Sequence, residues 1–286
     1  MKIVKTVDEV KAIVKGWRQE GLTVGLVPTM GFLHAGHQSL IAKSVEQNDR
    51  TVVSVFVNPI QFGPNEDLSK YPRDFERDCK ILEAHGVDVV FHPEPEEMYF
   101  PDFCTYADVD VVSDTLGGAT RENHFRGVCT VIAKFLNIVQ PDKIYFGKKD
   151  AQQLAVVRRM VRDLNFDVDV VGCPTVREAD GLAMSSRNVY LNPEERKAAQ
   201  ILSRTLRLGQ DMIRNGCSDS KELLEAMNAN LATEPMAKVE YVEVVDGLSM
   251  QPIETFGKGD VVAMAVRIGS TRLIDNITVG DMAINV

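Results

Sequence analysis

The stretch LTVGLVPTMGFLHAGH, residues 22–37, constrains the fold of this chain more than any other. It begins as an apolar, β-branched run, which is typical of a strand buried in a parallel sheet. Pro28 is expected to end that strand. A helical pattern follows the small-residue turn, with three apolar residues on one face: Leu40, Ile41 and Val45. The stretch therefore predicts a strand–turn–helix unit with two histidines, His34 and His37, at its turn.

The spacing of these histidines indicates an anion site. Imidazoles three residues apart in a first helical turn point the same way, toward the end where unpaired N–H groups and the helix dipole favour negative charge. Gly36 lies between them and has no Cβ, so a flat ring such as a purine has room against the backbone. The alternative is that His34 and His37 are helix-capping or core histidines.

Composition limits the classes of function. With 286 residues, 44% of them hydrophobic, the chain has the length for one large or two medium domains. A formal net charge of −9 argues against a broad surface for nucleic acid or anionic membrane. The N-terminal residues lack the pattern of a secretory signal, and no apolar run is long enough to span a bilayer. We therefore expect a cytoplasmic protein, with its five dispersed cysteines reduced.

Alternating strand and helix patterns predict an open α/β fold with a parallel sheet in the first part of the chain. Residues 93–118 are irregular and are expected to form loops and a short strand pair. The predicted strands span residues 22–27, 51–57, 87–91, 143–146 and 167–172, and the predicted helices begin near residues 7, 37, 75, 124 and 151.

The pattern changes at Asn192, which precedes Pro193 and two acids and so predicts a strong helix start. Two helices and then three strands are predicted from there, which indicates a smaller C-terminal α+β domain. The boundary is expected near residues 177–181. The predicted domains are residues 1–177 and residues 178–286.

Polar side chains follow two of the predicted strands. Asn58 and Gln61 come after the strand 51–57, at the sheet edge where open α/β folds bind ligands, and their amides suit recognition of a polar, uncharged group. Asn58 alone is equally well explained as a strand terminator. Lys148 and Lys149 lie between a strand and the next helix, where contacts to phosphate belong, although a solvated lysine pair is the alternative.

The segment 181–188, GLAMSSRN, combines a glycine, hydroxyls and a guanidinium without a periodic apolar face. This predicts a mobile ligand loop that closes over a nucleotide, with a plain polar linker as the alternative.

Seven motifs in order, PTMGFLHAGH, FVNPIQFG, YPRD, HFRGV, FGKKDAQQ, PTVREADGLAMSSRN and RLIDN, resemble the pantoate–β-alanine ligases of the nucleotidyltransferase superfamily. The resemblance implies a Rossmann-like, doubly wound α/β domain, residues 1–177, that binds ATP and pantoate, and a smaller C-terminal α+β lid domain, residues 178–286. It also implies a homodimer that condenses (R)-pantoate with β-alanine to pantothenate, a coenzyme A precursor. In this family the reaction uses ATP and Mg²⁺, passes through a pantoyl adenylate, and releases AMP and pyrophosphate.

The resemblance also implies site residues. His37 is the proton donor, and His34, Lys149 and Arg187 join it in offsetting phosphate charge. Gln61 contacts pantoate and the β-alanine site, and Gln153 holds pantoate, with Asn58 beside them. The implied ATP contacts are Met30, Gly31, Phe32, Leu33, His34, Ala35, Gly36, His37, Gly147, Lys148, Lys149, Asp150, Val176, Met184, Ser185, Ser186 and Arg187. The family usually has glutamate where this chain has Lys148.

Other interpretations stay open from the sequence. Asp74, Asp78 and Asp150 are equally acceptable as magnesium ligands. A simple adenylyltransferase would keep the histidines but would not need FVNPIQFG. A nucleotide-sensing protein would keep the ATP site without turnover, whereas a tRNA-charging enzyme would need a basic surface that a charge of −9 argues against.

Overall fold

Two separate sheets organise the computed structural model, which describes residues 1–64 and 66–281. Six strands form a parallel sheet in the order β1-β4-β3-β2-β5-β6, and three form an antiparallel sheet in the order β7-β8-β9. The strands are β1 (Lys2–Val4), β2 (Val24–Thr29), β3 (Arg50–Val55), β4 (Val89–Phe91), β5 (Lys143–Gly147), β6 (Asp169–Cys173), β7 (Ala237–Val245), β8 (Val261–Ile268) and β9 (Thr271–Thr278). The parallel sheet confirms the predicted fold class.

The helices follow the strands in the alternation that the sequence predicts. They are α1 (Val7–Gln19), α2 (Ala35–Gln47), α3 (Phe75–Ala84), α4 (Pro95–Met98), α5 (Leu116–Thr120), α6 (His124–Val139), α7 (Ala151–Asp163), α8 (Pro193–Arg214) and α9 (Ser220–Leu231). Short 3₁₀ turns span Pro59–Gln61, Lys148–Asp150 and Ser186–Tyr190. Among the described residues, no helix is long and apolar enough to cross a membrane.

The order of the parallel strands locates the ligand-binding edge. From the central strand β2 the chain moves outward through β3 and β4, and it then crosses back to place β5 on the other side of β2. Open α/β sheets bind ligands outside the carboxyl ends of strands at such a reversal. The turns that leave β2, β3 and β5 therefore have the position expected of a binding site.

Pro28 does not end β2, contrary to the prediction. The strand runs on to Thr29, and Pro28 lies opposite Ser54 of β3. Pairing with β5 stops at Leu26. On the other side, Thr29 still accepts a hydrogen bond from the N–H of Phe56. The lack of an N–H on Pro28 therefore costs no hydrogen bond between strands.

The buried face of α2 differs from the predicted one at a single position. Leu40 and Ile41 are buried as expected, whereas Val45 is 37% exposed. Ser44 takes the inward position instead, and its hydroxyl lies 2.9 Å from that of Thr51. A hydrogen-bonded hydroxyl satisfies this buried position without an apolar side chain.

Residues 93–118 contain no strand pair, so that prediction is wrong. The described backbone there forms the short helices α4 and α5, joined by turns. A sequence rich in proline and glycine is compatible with single helical turns as well as with loops, and the local pattern does not distinguish the two.

The described chain divides into two units. The first contains residues 1–109, 121–148 and 156–174, and the second contains residues 110–120, 149–155 and 175–286. Each has its own apolar core: one includes Val27, Leu33, Ile41, Val53 and Leu82, and the other includes Leu182, Leu202, Leu206, Val262 and Met264. The single boundary between residues 177 and 178 stays a prediction. All five cysteines are free thiols.

Candidate active site

The turn between β2 and α2 makes the two histidines a reciprocal cap. His34 is the N-cap residue of α2, and its Nδ1 accepts the N–H of Gly36 at 3.1 Å. The N–H of His34 in turn donates to Nδ1 of His37 at 3.3 Å. The two ring centroids are 4.0 Å apart. This is the geometry of a capping box, in which an N-cap residue and the residue three positions later satisfy each other's ends.

The caps fix which nitrogen of each ring carries the proton. Because Nδ1 accepts a backbone N–H in both His34 and His37, the neutral rings carry hydrogen on Nε2. Each Nε2–H is then a donor of the kind that phosphate oxygens accept. The N–H of Gly36 is already engaged by His34, which corrects the expectation that unpaired backbone groups at this helix end form the anion site.

Asp78, which the sequence offers only as a magnesium ligand, holds the turn before His34. Its carboxylate accepts the N–H groups of Phe32 and Leu33, both at 2.7 Å, and only 1% of the residue is exposed. Burial raises the pKa of Asp78, and the two N–H bonds act in the opposite direction.

The turn after β3 places Gln61 next to the turn after β2. Gln61 Nε2 lies 3.5 Å from the sulfur of Met30, and its Oε1 accepts a hydrogen bond from Asn58 Nδ2 at 3.0 Å. Asn58 is 1% exposed and also donates to the carbonyl of Gly127, while its Oδ1 accepts the hydroxyl of Tyr99 at 2.7 Å. These partners make Asn58 suited to orienting Gln61.

A polar chain also fixes the backbone of Gln61. Its carbonyl lies 2.9 Å from Nδ1 of His124, so that nitrogen donates, and His124 Nε2 lies 2.8 Å from Nη1 of Arg121. Arg121 forms two hydrogen bonds with the carboxylate of Glu66, at 2.6 and 2.7 Å. His124 therefore has a structural role, since it holds the backbone of Gln61. A Cβ on Gly127 would lie 2.6 Å from the Gln61 backbone, which explains a glycine at this point of α6.

The residues after β5 belong to both units. Gly147 and Lys148 are in the first unit, and Lys149, Asp150 and Gln153 are in the second. Lys149 Nζ lies 3.9 Å from Asp150 Oδ1, and these side chains are 17% and 46% exposed.

Gln152 and Gln153 have different surroundings. Gln152 is buried and accepts the N–H of Gly117, and it donates to the carbonyls of Val112 and Thr115. It therefore fixes residues 112–117 within the second unit. Gln153 is partly exposed, as a substrate ligand must be.

Residues 176–184 form a tight hairpin that joins two predicted ATP contacts. The N–H of Met184 donates to the carbonyl of Val176 at 3.0 Å, and Arg177 and Ala183 form an antiparallel bridge. Gly181 has a φ of +89° at the turn. Ser185 then caps the 3₁₀ turn that carries Ser186 and Arg187, through its hydroxyl and the N–H of Arg187.

Hydrogen bonds anchor this segment in the second unit, and its predicted closure over a nucleotide stays a prediction. Asp275 on β9 forms two hydrogen bonds with Arg177, at 2.6 and 2.9 Å, and both side chains are at most 10% exposed. Asn188 donates to Glu178 and to the carbonyl of Ala183. The next residue of β9, Asn276, donates to the carbonyl of Lys149 at 2.7 Å. Neither Asp275 nor Asn276 has a pattern that reveals these partners in the sequence.

The structure therefore assembles the predicted residues in two groups. The first unit contains residues 30–37, Asn58, Gln61, Gly147 and Lys148, and the second contains Lys149, Asp150, Gln153, Val176 and residues 184–187. In the first group Gln61 contacts Met30. In the second, Met184 donates to Val176, and the neighbouring residues Asp275 and Asn276 hold Arg177 and the backbone of Lys149.

A family model described as pantoate-β-alanine ligase matches residues 2–278. The chain belongs to the pantoate–β-alanine ligase family. The pantothenate synthetase of Ruminiclostridium cellulolyticum is 56% identical over 278 residues, which cover 97% of this chain and 99% of that relative. Membership makes the protein an enzyme that joins pantoate to β-alanine at the expense of ATP.

Solved structures agree with this membership. A pantothenate synthetase from Thermus thermophilus has 46% identity and a TM-score of 0.92, with 97% of this chain and 99% of that one covered. A pantoate-β-alanine ligase from Francisella tularensis has 32% identity and a TM-score of 0.78, with 97% of each chain covered. That enzyme was crystallised with β-γ ATP and β-alanine.

Proposed function

We propose that the protein makes pantothenate in two steps, through a pantoyl adenylate. In the first step a carboxylate oxygen of pantoate attacks the α-phosphorus of ATP, and the bond to the bridging oxygen breaks to release pyrophosphate. In the second step the neutral amine of β-alanine attacks the acyl carbon. AMP leaves with the bonding electrons, and the amine loses a proton. No protein nucleophile is needed.

The histidine pair is the observation that carries this proposal. Negative charge grows on bridging and terminal phosphate oxygens in the first step, and Nε2–H donors fixed in advance stabilise it without reorganising. The caps on Nδ1 support such donors in both His34 and His37. His37 is proposed as the proton donor, and Lys149 and Arg187 as the cations that join it.

ATP is proposed to contact the residues that the family resemblance implies. These contacts are Met30, Gly31, Phe32, Leu33, His34, Ala35, Gly36, His37, Gly147, Lys148, Lys149, Asp150, Val176, Met184, Ser185, Ser186 and Arg187. The bond between Met184 and Val176 supports their acting together, and the bond from Asn276 to Lys149 supports a fixed backbone beneath the lysine. A mixed anhydride hydrolyses in water, so residues 185–188 are proposed to shield it.

Pantoate is proposed to bind Gln61 and Gln153, with the β-alanine site beside Gln61. The carboxamides recognise the hydroxyl and carbonyl groups of pantoate without adding charge. Asn58 is proposed to act through Gln61, because the partners of Asn58 already include Gln61, Gly127 and Tyr99. Burial raises the pKa of Tyr99, which keeps its hydroxyl a donor to Asn58.

Magnesium is proposed to accompany ATP rather than to occupy a protein cage. Over residues 1–64 and 66–281, no group of three or more His, Cys, Asp or Glu side chains is arranged to hold a metal ion. Asp74 caps α3 and Asp78 holds the β2–α2 turn, so Asp150, with its partly exposed carboxylate, is the best of the three predicted ligands. Mg²⁺ prefers phosphate oxygens and waters with one or two carboxylates, and it neutralises phosphate charge when bound.

Exchange of labelled pyrophosphate into ATP tests the adenylate route. With pantoate present and β-alanine absent, we expect exchange, because the first step is reversible and needs only pantoate. Omission of pantoate should abolish it. A nucleotide sensor would show no exchange with any acid, and a simple adenylyltransferase would require another acceptor. Pantothenate formation without pantoate-dependent exchange would contradict the two-step route.

The assembly and the location of the protein are also proposals. The family resemblance supports a homodimer, and the location proposed from the sequence is the cytoplasm. Sedimentation equilibrium tests the first point, since a dimer has twice the 31.7 kDa mass of the chain.

A further inference from the structure

We propose that Asp78 is a positioning residue that holds the turn Gly31–Leu33 in the conformation that presents His34 and His37 to ATP. The proposal rests on the proposed function of the histidines. It assigns Asp78 a role in the rate of the reaction, and it excludes Asp78 as a magnesium ligand.

The carboxylate of Asp78 forms a two-pronged contact with the turn. Oδ2 accepts the N–H of Phe32 and Oδ1 accepts the N–H of Leu33, each at 2.7 Å. Asp78 lies on α3, 45 residues beyond Leu33, and is 1% exposed. Two short bonds from a buried carboxylate to adjacent amides fix both the position and the direction of that backbone. Both oxygens are engaged with the turn, which leaves a poor ligand for a cation.

The turn needs such support because its backbone is strained. Gly31 and Phe32 have φ values of +80° and +50°, in the left-handed region that non-glycine residues rarely adopt. Thr29 assists, since its hydroxyl accepts the N–H of Gly31 at 3.2 Å. The Arg77 guanidinium lies 5.4 Å from the centre of the Phe32 ring. The fold thus holds this turn from the neighbouring helix α3 as well as from β2.

Space at Gly31 links the strained turn to the same carboxylate. A Cβ at Gly31 would lie 3.0 Å from Asp78 Oδ2 and 3.0 Å from Val55 Cγ1. Glycine at position 31 and aspartate at position 78 therefore fit one another.

The histidines follow directly from this turn. Leu33 is bonded covalently to His34, and the N–H of His34 donates to Nδ1 of His37. A shift of the turn changes the direction of that N–H, and it therefore rotates the ring of His37 as well as moving His34. Displacing a catalytic group by about 1 Å can lower a rate about a hundredfold.

Asp78→Asn tests the role with little change of volume. The amide group must turn its NH₂ toward one of the two N–H donors, so one bond of the pair is lost. We expect kcat to fall at least about tenfold while KM for ATP changes less than about threefold, because most ATP contacts remain. Asp74→Ala is the matched control: it removes the N-cap of the same helix, whose carboxylate accepts the N–H of Arg77, and should leave kcat within about twofold.

A double variant distinguishes positioning from a general structural role. If Asp78 acts through the histidines, Asp78→Asn combined with His37→Gln should lose little more kcat than His37→Gln alone. Multiplying losses would show that Asp78 acts independently of His37 and would overturn the proposal, as would an unchanged kcat in Asp78→Asn. Unchanged kcat in His37→Gln would instead refute the proposed function of that histidine.

Gly31→Ala keeps the test decisive if Asp78→Asn does not fold. It leaves Asp78 intact but forces a methyl group against Oδ2 and against Val55. The same loss of kcat, again not multiplied by His37→Gln, is expected. A normal kcat in a folded Gly31→Ala variant would contradict the requirement for this turn conformation.

Discussion

Each histidine of the H-x-G-H motif performs two tasks at once. Nδ1 of His34 accepts the N–H of Gly36, and Nδ1 of His37 accepts the N–H of His34. The proton of each ring is therefore on Nε2, and this N–H is the group proposed to donate to phosphate. The capping alternative raised from the sequence and the catalytic interpretation are therefore compatible. A serine at the N-cap and a glutamate three residues later would cap the helix equally well, but neither supplies a ring N–H donor.

Replacing His37 separates these two tasks. His37→Ala removes both the cap and the donor, whereas His37→Gln keeps an oxygen that can accept the N–H of His34, as glutamine does at this position of a capping box. We expect both variants to lose about a hundredfold or more in kcat, the usual cost of one transition-state donor.

Thermal unfolding gives the control for this comparison. His37→Ala should be about 1 kcal/mol less stable than His37→Gln, which is the typical contribution of a cap. If His37→Gln retained full activity, the imidazole would have no part in the chemistry.

At the scale of elements, β9 supports residues that come from two other parts of the second unit. Asp275 holds the 176–184 hairpin through Arg177, and Asn276 holds the backbone of Lys149. Asp275 and Arg177 are 1% and 10% exposed as side chains. The motif RLIDN, the last of the seven that carry the family resemblance, thus acts by fixing loops that carry predicted ATP contacts.

Breaking the ion pair between Asp275 and Arg177 should lower the stability of the protein. Asp275→Asn keeps the size of the side chain but leaves the buried guanidinium of Arg177 without a counter-charge. We expect a loss of about 3 to 5 kcal/mol in the free energy of unfolding, as for other buried pairs deprived of one partner. Urea unfolding followed by circular dichroism measures it.

Arg267→Gln provides the comparison on the same sheet. Arg267 pairs with Glu240 at 2.6 Å, but its side chain is 46% exposed. Removing this pair should cost less than about 1 kcal/mol because the Arg267 guanidinium is half-exposed and Glu240 keeps its ion pair with Arg272. Equal losses of unfolding free energy in the two variants would show that burial of the Asp275–Arg177 pair contributes nothing to stability.

At the scale of the whole molecule, the two apolar cores are built from different residues. The core of the first unit includes Leu82 on α3, and that of the second includes Leu202 on α8; both leucines are 0% exposed. The antiparallel sheet and the helices α8 and α9 belong to the second unit alone.

The same truncation in each core tests how stability is divided. Leu82→Ala and Leu202→Ala should each cost about 2 to 5 kcal/mol, because each leaves a cavity in a packed core. Hydrogen exchange followed by mass spectrometry should show the larger rise in amide exchange rate within the unit that carries the substitution. An identical pattern of exchange rates in both variants would mean that the two units unfold together in one cooperative transition.

The sequence by itself determined the kinds of elements and the order of the motifs. Apolar periodicity is a local property, so the buried strand β3, the start of α6 and the Asn192 cap of α8 are predictable within a few residues. The exceptions depend on neighbours: Pro28 is accommodated because pairing with β5 ends at Leu26, and Ser44 is inside because its hydroxyl pairs with that of Thr51.

Tertiary structure alone decided which side chains hold the site in place. Asp78 meets Leu33 across 45 residues, Asp275 meets Arg177 across 98, and Asn276 meets Lys149 across 127. A carboxylate or an amide carries no local mark of a partner that far away. Its hydrogen bonds depend on the order of strands and the register of helices, and these follow from packing the whole chain at once.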